Sequence, residues 1–240
     1  IVYSSDAATS QHVVVIHQRQ FFSFPATEGA TKNWAPKSME TLAAQLRAVQ
    51  KLSQQGYGAH GPNGNDAPPA VGGMCAGHRD AWCSARDQLV LDGNQEFLEI
   101  VQSSILIVCL DDTTPTTREE VGRALWHGDA CNRWYDKTIE LVIFANGKAG
   151  LMGEHSQFDG QVSVGLSDYM LHEERKTMLT SSLWSPSLCD VTLSMTIQPT
   201  NISNLLKWSA NSSWNLMNIL QEFHDLIQRF VLQNNCLFVL

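Results

Sequence analysis

Charged residues are scarce in this sequence, and none of its apolar runs is long. Only 17% of the 240 residues are charged, with 16 Lys or Arg against 24 Asp or Glu, which gives a formal net charge of −8. A shortage of basic residues argues against binding along a phosphate backbone, because nucleic-acid-binding proteins usually present a basic face. No apolar run approaches the roughly 20 residues that a membrane-spanning helix needs. The composition therefore excludes broad nucleic-acid binding and predicts no transmembrane segment.

Cysteine pairs at the spacing of a metal site or a disulfide framework are also missing. The six cysteines are scattered, and no two of them form a C-x-x-C pair, whereas disulfide scaffolds are short and dense in cysteine. Cys75, His78 and Cys83 are candidate ligands, but their spacing fits no closed zinc site. We therefore expect an intracellular protein without a bound metal ion.

Apolar residues make up 43% of the chain, enough for an extensive core and too many for a disordered tail. Periodicity predicts strands at residues 12–16 and 20–24, helices at 39–52 and 79–91, and a buried central strand at 104–110. The glycine-rich stretch 57–73 is interpreted as a surface loop rather than a phosphate cradle, because no strand precedes it.

An acidic pair, Asp111-Asp112, follows the predicted central strand. Such a pair at a strand end can hold Mg²⁺ or can cap a following helix, here one that begins near Pro115. No phosphate-binding loop accompanies the pair, so the sequence favours a capping or solvated role.

A β-hairpin is predicted at residues 138–154. Residues 138–144 alternate between two faces, and Asn146-Gly147 is the strongest short hairpin signal, because both residues tolerate the positive φ of a type I′ turn. A two-residue loop of this kind brings Thr138 opposite His155. The predicted register therefore delivers His155 to the end of a rigid strand beside a loop, a favourable place for chemistry.

The two ends of the sequence suggest a piece of a longer protein. The chain opens on Ile1 rather than Met, and it closes on the apolar, strand-like run 236–240. Such a run has backbone groups that need sheet partners.

Two linked motifs carry a resemblance to a known family. Residues 132–137 read N-R-W-Y-D-K and residues 150–156 read G-L-M-G-E-H-S, with Asp159-Gly160 after them. This order resembles the choline/carnitine acyltransferase family, and within it the fungal-type carnitine O-acetyltransferases. Weaker similarities extend the resemblance to about residues 10–176, at residues 12–22, 78–82, 110–115 and 168–169.

The resemblance implies a fold, a reaction and two site residues. The implied fold is α/β, a mixed β-sheet with flanking helices in a chloramphenicol-acetyltransferase-like two-domain acyltransferase, incomplete here. His155 would be the general base that takes the proton from the carnitine hydroxyl, so that acetyl-CoA is attacked directly without an acyl-enzyme. Imidazole suits this role because its pKa lies near neutrality. Asp159 matches the family's supporting carboxylate, which would help to order the site by pairing with a distant basic residue, whereas Glu154 is interpreted as structural.

The resemblance also implies partners and a division of the chain. Carnitine and acyl-CoA are the expected substrates, CoA is a co-substrate rather than a tightly bound cofactor, and a monomer in a mitochondrion or peroxisome is expected. Residues 1–195 would belong to the domain of the catalytic histidine, and residues 196–240 would begin the second domain. The CoA-binding residues are expected in the second domain, outside this sequence.

Departures from the family pattern leave alternatives open. Gln161-Val162-Ser163 stands where fungal members usually have Thr-Pro-Thr, and the chain ends before the family's Y-G-K and S-T-S segments. The sequence is therefore compatible with an enzyme, with a non-catalytic truncated remnant, or with a choline or longer-chain carnitine acyltransferase. A metal-dependent hydrolase that uses His155, Asp159 and another histidine lacks any ligand-spaced pair and ranks below these.

Overall fold

The centre of the structure is a five-stranded mixed sheet. A computed structural model of the chain describes residues 10–28, 35–55, 70–128, 130–156 and 159–180. The sheet has the order β2-β1-β5-β6-β7; β1, β5 and β6 run parallel, and β2 and β7 are antiparallel edge strands. Its strands are β1 (His12–His17), β2 (Gln20–Pro25), β5 (Ile107–Asp111), β6 (Ile139–Phe144) and β7 (Ala149–Gly153), and a small second sheet pairs β3 (Thr27–Glu28) with β4 (Ala35–Pro36).

Helices cover both faces of the large sheet. One face packs against α1 through an apolar cluster that includes Val15, Phe22 and Val49, and the other packs against α2 to α5 around Trp82 and Trp134. Successive strand residues point to opposite faces, so β1 and β5 supply side chains to both layers. None of the helices in the described ranges is both long and apolar enough to cross a bilayer. The helices are α1 (Met39–Gln54), α2 (Val71–Met74), α3 (Arg79–Leu91), α4 (Gln95–Ser103), α5 (Arg118–Trp126) and α6 (Gly160–Thr180).

This architecture confirms the α/β fold with a mixed sheet and flanking helices. The predicted helices at 39–52 and 79–91 are α1 and α3, and the apolar run 104–110 covers all of β5, the central strand, except its last residue. The predicted loop 57–73 needs a correction at its end, because Val71 and Gly72 are buried in α2. A Cβ on Gly72 would lie 1.9 Å from the carbonyl oxygen of Arg133, so this turn of helix packs backbone to backbone. Residues 57–69 lie outside the described part of the chain.

The predicted capping role of Asp111-Asp112 is wrong, and the predicted solvated role holds for Asp112 alone, whose side chain is 62% exposed against 10% for Asp111. Helix α5 begins at Arg118 and is capped by Thr117, whose hydroxyl accepts the Glu120 amide while the Glu120 carboxylate accepts the Thr117 amide. This reciprocal pair satisfies two of the amides that a helix N-terminus leaves free. The two aspartates instead make ion pairs with residues that are distant in the sequence, as described below.

Candidate active site

The predicted hairpin is confirmed, but its turn differs from the prediction. Strands β6 and β7 pair antiparallel, with Ile143 opposite Ala149 and Ile139 opposite Gly153. The Phe144 amide donates to the Lys148 carbonyl, and Gly147, at φ +81°, donates to the Phe144 carbonyl. The loop therefore has three residues, a tight turn followed by one left-handed glycine. The prediction of a two-residue turn was wrong. The pairing shifts by one residue, so Glu154 rather than His155 stands opposite Thr138.

His155 lies directly beyond the end of this hairpin. The last ladder bond joins the Glu154 amide to the Thr138 carbonyl at 3.3 Å, and the chain turns at His155 and Ser156. The His155 side chain is 81% exposed. A rigid hairpin thus presents the imidazole at one end of the sheet, with its ring open to solvent.

Asp159 reaches the same place from the start of α6. Its backbone carbonyl accepts the amides of Val162 and Ser163, and its carboxylate accepts the Gly160 amide at 2.7 Å. A carboxylate at this position also interacts favourably with the helix dipole. The His155 Nε2 atom lies 3.9 Å from Asp159 Oδ1. The structure therefore brings together the two residues that the sequence singled out, as two exposed side chains four residues apart in the sequence.

The Glu154 carboxylate folds back over the turn that holds His155. Its two oxygens accept the Ser156 amide at 3.2 and 3.1 Å. The Ser156 hydroxyl also donates to this carboxylate. The residues before and after His155 are thus joined side chain to backbone.

The N-R-W-Y-D-K segment follows α5 and leads to the start of β6. Its first half lies at the end of β5, where Asp111 holds it. Arg133 is fully buried and donates two parallel hydrogen bonds to the Asp111 carboxylate, at 2.8 and 2.7 Å. Asn132 donates to the Leu110 carbonyl at 2.9 Å and to Asp111 at 2.8 Å. A bidentate guanidinium–carboxylate pair has a fixed geometry, so this end of the segment is locked to the central strand.

The second half of the segment is held by helix α3 and the core. Trp134 is buried and makes an edge-to-face contact with Trp82, with ring centroids 5.4 Å apart. The Asp136 carboxylate accepts the Trp82 indole N–H at 2.8 Å and an Arg79 N–H at 2.6 Å. Arg133, Trp134 and Asp136 therefore brace the approach to the hairpin against β5, the core and α3.

Lys137 closes the segment by capping helix α4. Its ammonium group donates to the carbonyls of Val101, Gln102 and Ser104 at 3.4, 2.9 and 2.6 Å. A cation is favourable at a helix C-terminus, where carbonyls lack partners. Burial lowers the pKa of Lys137 to about 8. The segment therefore reaches β6 with its position fixed by side chains along its length.

Glu140 is a buried charge-bearing residue that sequence reasoning did not single out. It is fully buried on β6, where one carboxylate oxygen accepts the Trp134 amide at 2.5 Å. Burial raises the pKa of Glu140 to about 7, against the opposing effects of the Trp134 amide and the Arg133 charge. The alternating pattern of β6 did contain a signal, because Glu140 shares a face with Val142 and Phe144, and that face is core.

The candidate metal ligands do not come together. Cys75 is buried and donates to the Gly72 carbonyl, Cys83 is exposed, and His78 caps helix α3. Within the ranges that the structure describes, no group of three His, Cys, Asp or Glu side chains is arranged to hold a metal ion.

Comparison with known proteins decides the family. The family model for choline/carnitine O-acyltransferase matches residues 2–234 of the chain. The chain belongs to the choline/carnitine acyltransferase family. The match includes both linked motifs and confirms the resemblance drawn from them.

Acyltransferases from animals and yeast are similar to this family member over most of its length. Human carnitine O-acetyltransferase is 29% identical over 222 residues, which cover 88% of this chain and 33% of the human protein. Mitochondrial carnitine O-acetyltransferase of Saccharomyces cerevisiae is 36% identical over 169 residues, 68% of this chain and 23% of the yeast protein. Choline O-acetyltransferase of Danio rerio is 31% identical over 173 residues, 69% of this chain and 25% of that protein. The chain thus spans a third or less of these relatives.

Proposed function

We propose that this chain carries the general base of an acyltransferase that moves a short acyl group, such as acetyl, between CoA and carnitine. The observation that carries the proposal is His155, placed by a family motif at the end of a rigid hairpin with Asp159 3.9 Å away. A base must be held within hydrogen-bond reach of the proton that it removes. A hairpin end anchored by the N-R-W-Y-D-K segment provides such a fixed position.

In the proposed reaction, a neutral His155 takes the proton of the carnitine hydroxyl. The oxygen attacks the thioester carbonyl, the tetrahedral intermediate collapses, and CoA leaves as a thiolate that receives the proton back from the imidazolium. No acyl-enzyme forms, and the reverse reaction begins with deprotonation of the CoA thiol. The Asp159 carboxylate supports the imidazolium by charge and orients the ring, an effect that is modest while both groups are exposed.

The remaining walls of the active site belong, in this proposal, to parts of the protein beyond the described residues. His155 is 81% exposed, whereas acyl transfer needs nucleophile, thioester and oxyanion donors held together. Residues 1–195 are assigned to the histidine-bearing domain, and residues 196–240 to the start of a second domain that contacts carnitine and CoA. The yeast relative is named as mitochondrial, and we extend that compartment to this chain as part of the proposal.

The exposure of His155 also favours a second candidate for the isolated chain, a folded remnant without turnover. We expect the purified 240-residue chain to consume no acetyl-CoA with either carnitine or choline. A chimera tests the enzyme itself: residues 10–180 replace the corresponding segment of the yeast carnitine O-acetyltransferase, and transfer to each acceptor is measured.

In an active chimera, His155→Ala should lower kcat by about 10²- to 10⁴-fold, the contribution typical of a positioned base. Asp159→Asn should cost less and should affect kcat and substrate binding together, because it disturbs orientation and leaves the base in place. His172→Ala, an exposed histidine on α6, is the matched control and should be silent. If Asp159→Asn is the more damaging change while His155→Ala keeps a tenth of kcat, His155 is not the base.

A further inference from the structure

Glu154 connects the hairpin to the turn that carries His155. Its backbone amide makes the last ladder bond, to the Thr138 carbonyl at 3.3 Å, and its carboxylate accepts the Ser156 amide and hydroxyl. Glu154 therefore holds the chain in place both before and after His155. The hydrogen bond from the amide of residue 156 to the side chain of residue 154 spans the residue between them and restricts its backbone.

The His155 ring itself receives little support from packing. Its side chain is 81% exposed, and its Nε2 atom lies 3.9 Å from the carboxylate of Asp159, which is also exposed. Such a pair contributes little by itself. The backbone of residues 154–156 therefore sets the direction of the Cα–Cβ bond from which the ring extends.

We propose that Glu154 is a positioning residue, which fixes the turn at His155 through Ser156 and joins that turn to the last bond of the hairpin ladder. This inference rests on the proposed function of His155 as base. Active-site groups must be held within a fraction of an ångström of their working geometry, and a displacement of about 1 Å can cost a factor of 10² in rate.

Kinetics in the chimera separate positioning from substrate binding. Glu154→Ala should lower kcat by about 10- to 100-fold, with KM for carnitine and acetyl-CoA nearly unchanged. Glu154→Gln should recover most of kcat, because the amide oxygen still accepts the Ser156 amide. Asp87→Ala removes an exposed carboxylate in the middle of α3 and should leave both parameters unchanged. Full kcat in Glu154→Ala, or a loss confined to KM, overturns the proposal.

A measurement on the 240-residue chain needs no activity. Backbone ¹⁵N relaxation should give order parameters at His155 and Ser156 near the value of about 0.85 that is typical of rigid backbone, falling below about 0.6 in Glu154→Ala and recovering in Glu154→Gln. Unchanged order in Glu154→Ala overturns the proposal. If transfer survives His155→Ala, the proposed function fails, whatever Glu154 does to the turn. If acyl transfer depends on His155 but is unchanged in Glu154→Ala, only the positioning role fails.

Discussion

Removing the Asp111 carboxylate should greatly lower the free energy of unfolding of this chain, because it leaves a buried guanidinium without its counterion. Arg133 is fully buried, and Asp111, 10% exposed, accepts two of its N–H groups at 2.8 and 2.7 Å. Breaking a buried pair from one side costs about 3–5 kcal/mol, more than the pair itself contributes. Asp111→Ala should therefore lower the free energy of unfolding by about that amount, and the melting temperature by roughly 6–20 °C in a domain of this size.

The neighbouring aspartate provides a matched control. Asp112 pairs with His17 at 3.0 Å but is 62% exposed, so Asp112→Ala should cost at most about 1 kcal/mol. Urea titrations followed by the fluorescence of the buried tryptophans compare the two variants. The double variant Asp111→Ala/Arg133→Met should recover at least half of the loss, because a buried charge is replaced by an apolar side chain of similar length. Equal losses in the two single variants, or no recovery in the double variant, would refute the reasoning.

Two further predictions concern buried polar groups. Burial raises the pKa of Glu140 from 4.5 to about 7. Between these pH values the folded state keeps a proton that the unfolded state has lost. The free energy of unfolding should therefore fall by about 3 kcal/mol as the pH rises from 4.5 to 7. Urea titrations across this range should show the slope in the natural sequence and its loss in Glu140→Gln, and an unchanged slope in the variant contradicts the assignment. Gln45 on α1 is fully buried, and neither polar atom of its side-chain amide has a hydrogen-bond partner among the described residues. Gln45→Met should therefore raise the free energy of unfolding by about 1–2 kcal/mol, whereas Gln50→Met, on the exposed side of the same helix, should change it little; a loss of stability in Gln45→Met would show that the amide has a partner.

The elements that local sequence could predict are those whose apolar pattern is long or continuous. The predictions of β5, α1 and α3 were correct for this reason, since burial of one face requires apolar residues at the matching period. Turn geometry was less accessible. Asn146-Gly147 predicts a two-residue turn but belongs to a three-residue loop, whereas Gln18-Arg19, with no glycine or asparagine, has positive φ at both residues and joins β1 to β2.

The roles of the acidic residues depended on partners that are far away in the sequence. Asp111 meets Arg133 only after a helix and a loop, and Asp112 meets a histidine of the first strand. No local rule distinguishes such a pair from a helix cap, so the capping interpretation failed. His155 and Asp159 were singled out because a family motif contains both of them. The contacts of Glu154 needed coordinates, because they depend on the path of one tight turn.

The three-residue loop at the tip of the hairpin has a consequence for how this chain can be edited. Surface loops are the usual sites where insertions and deletions are tolerated. In this hairpin, deleting one residue from 145–147 would slide β7 by one position and turn all of its side chains to the opposite face, because strand side chains alternate with a period of two. The residue that emerges at the far end would then no longer be His155. The length of a solvent-facing loop at the opposite end of the hairpin therefore sets the position of the histidine. A change in that length would displace His155 in the candidate active site without altering any residue of that site.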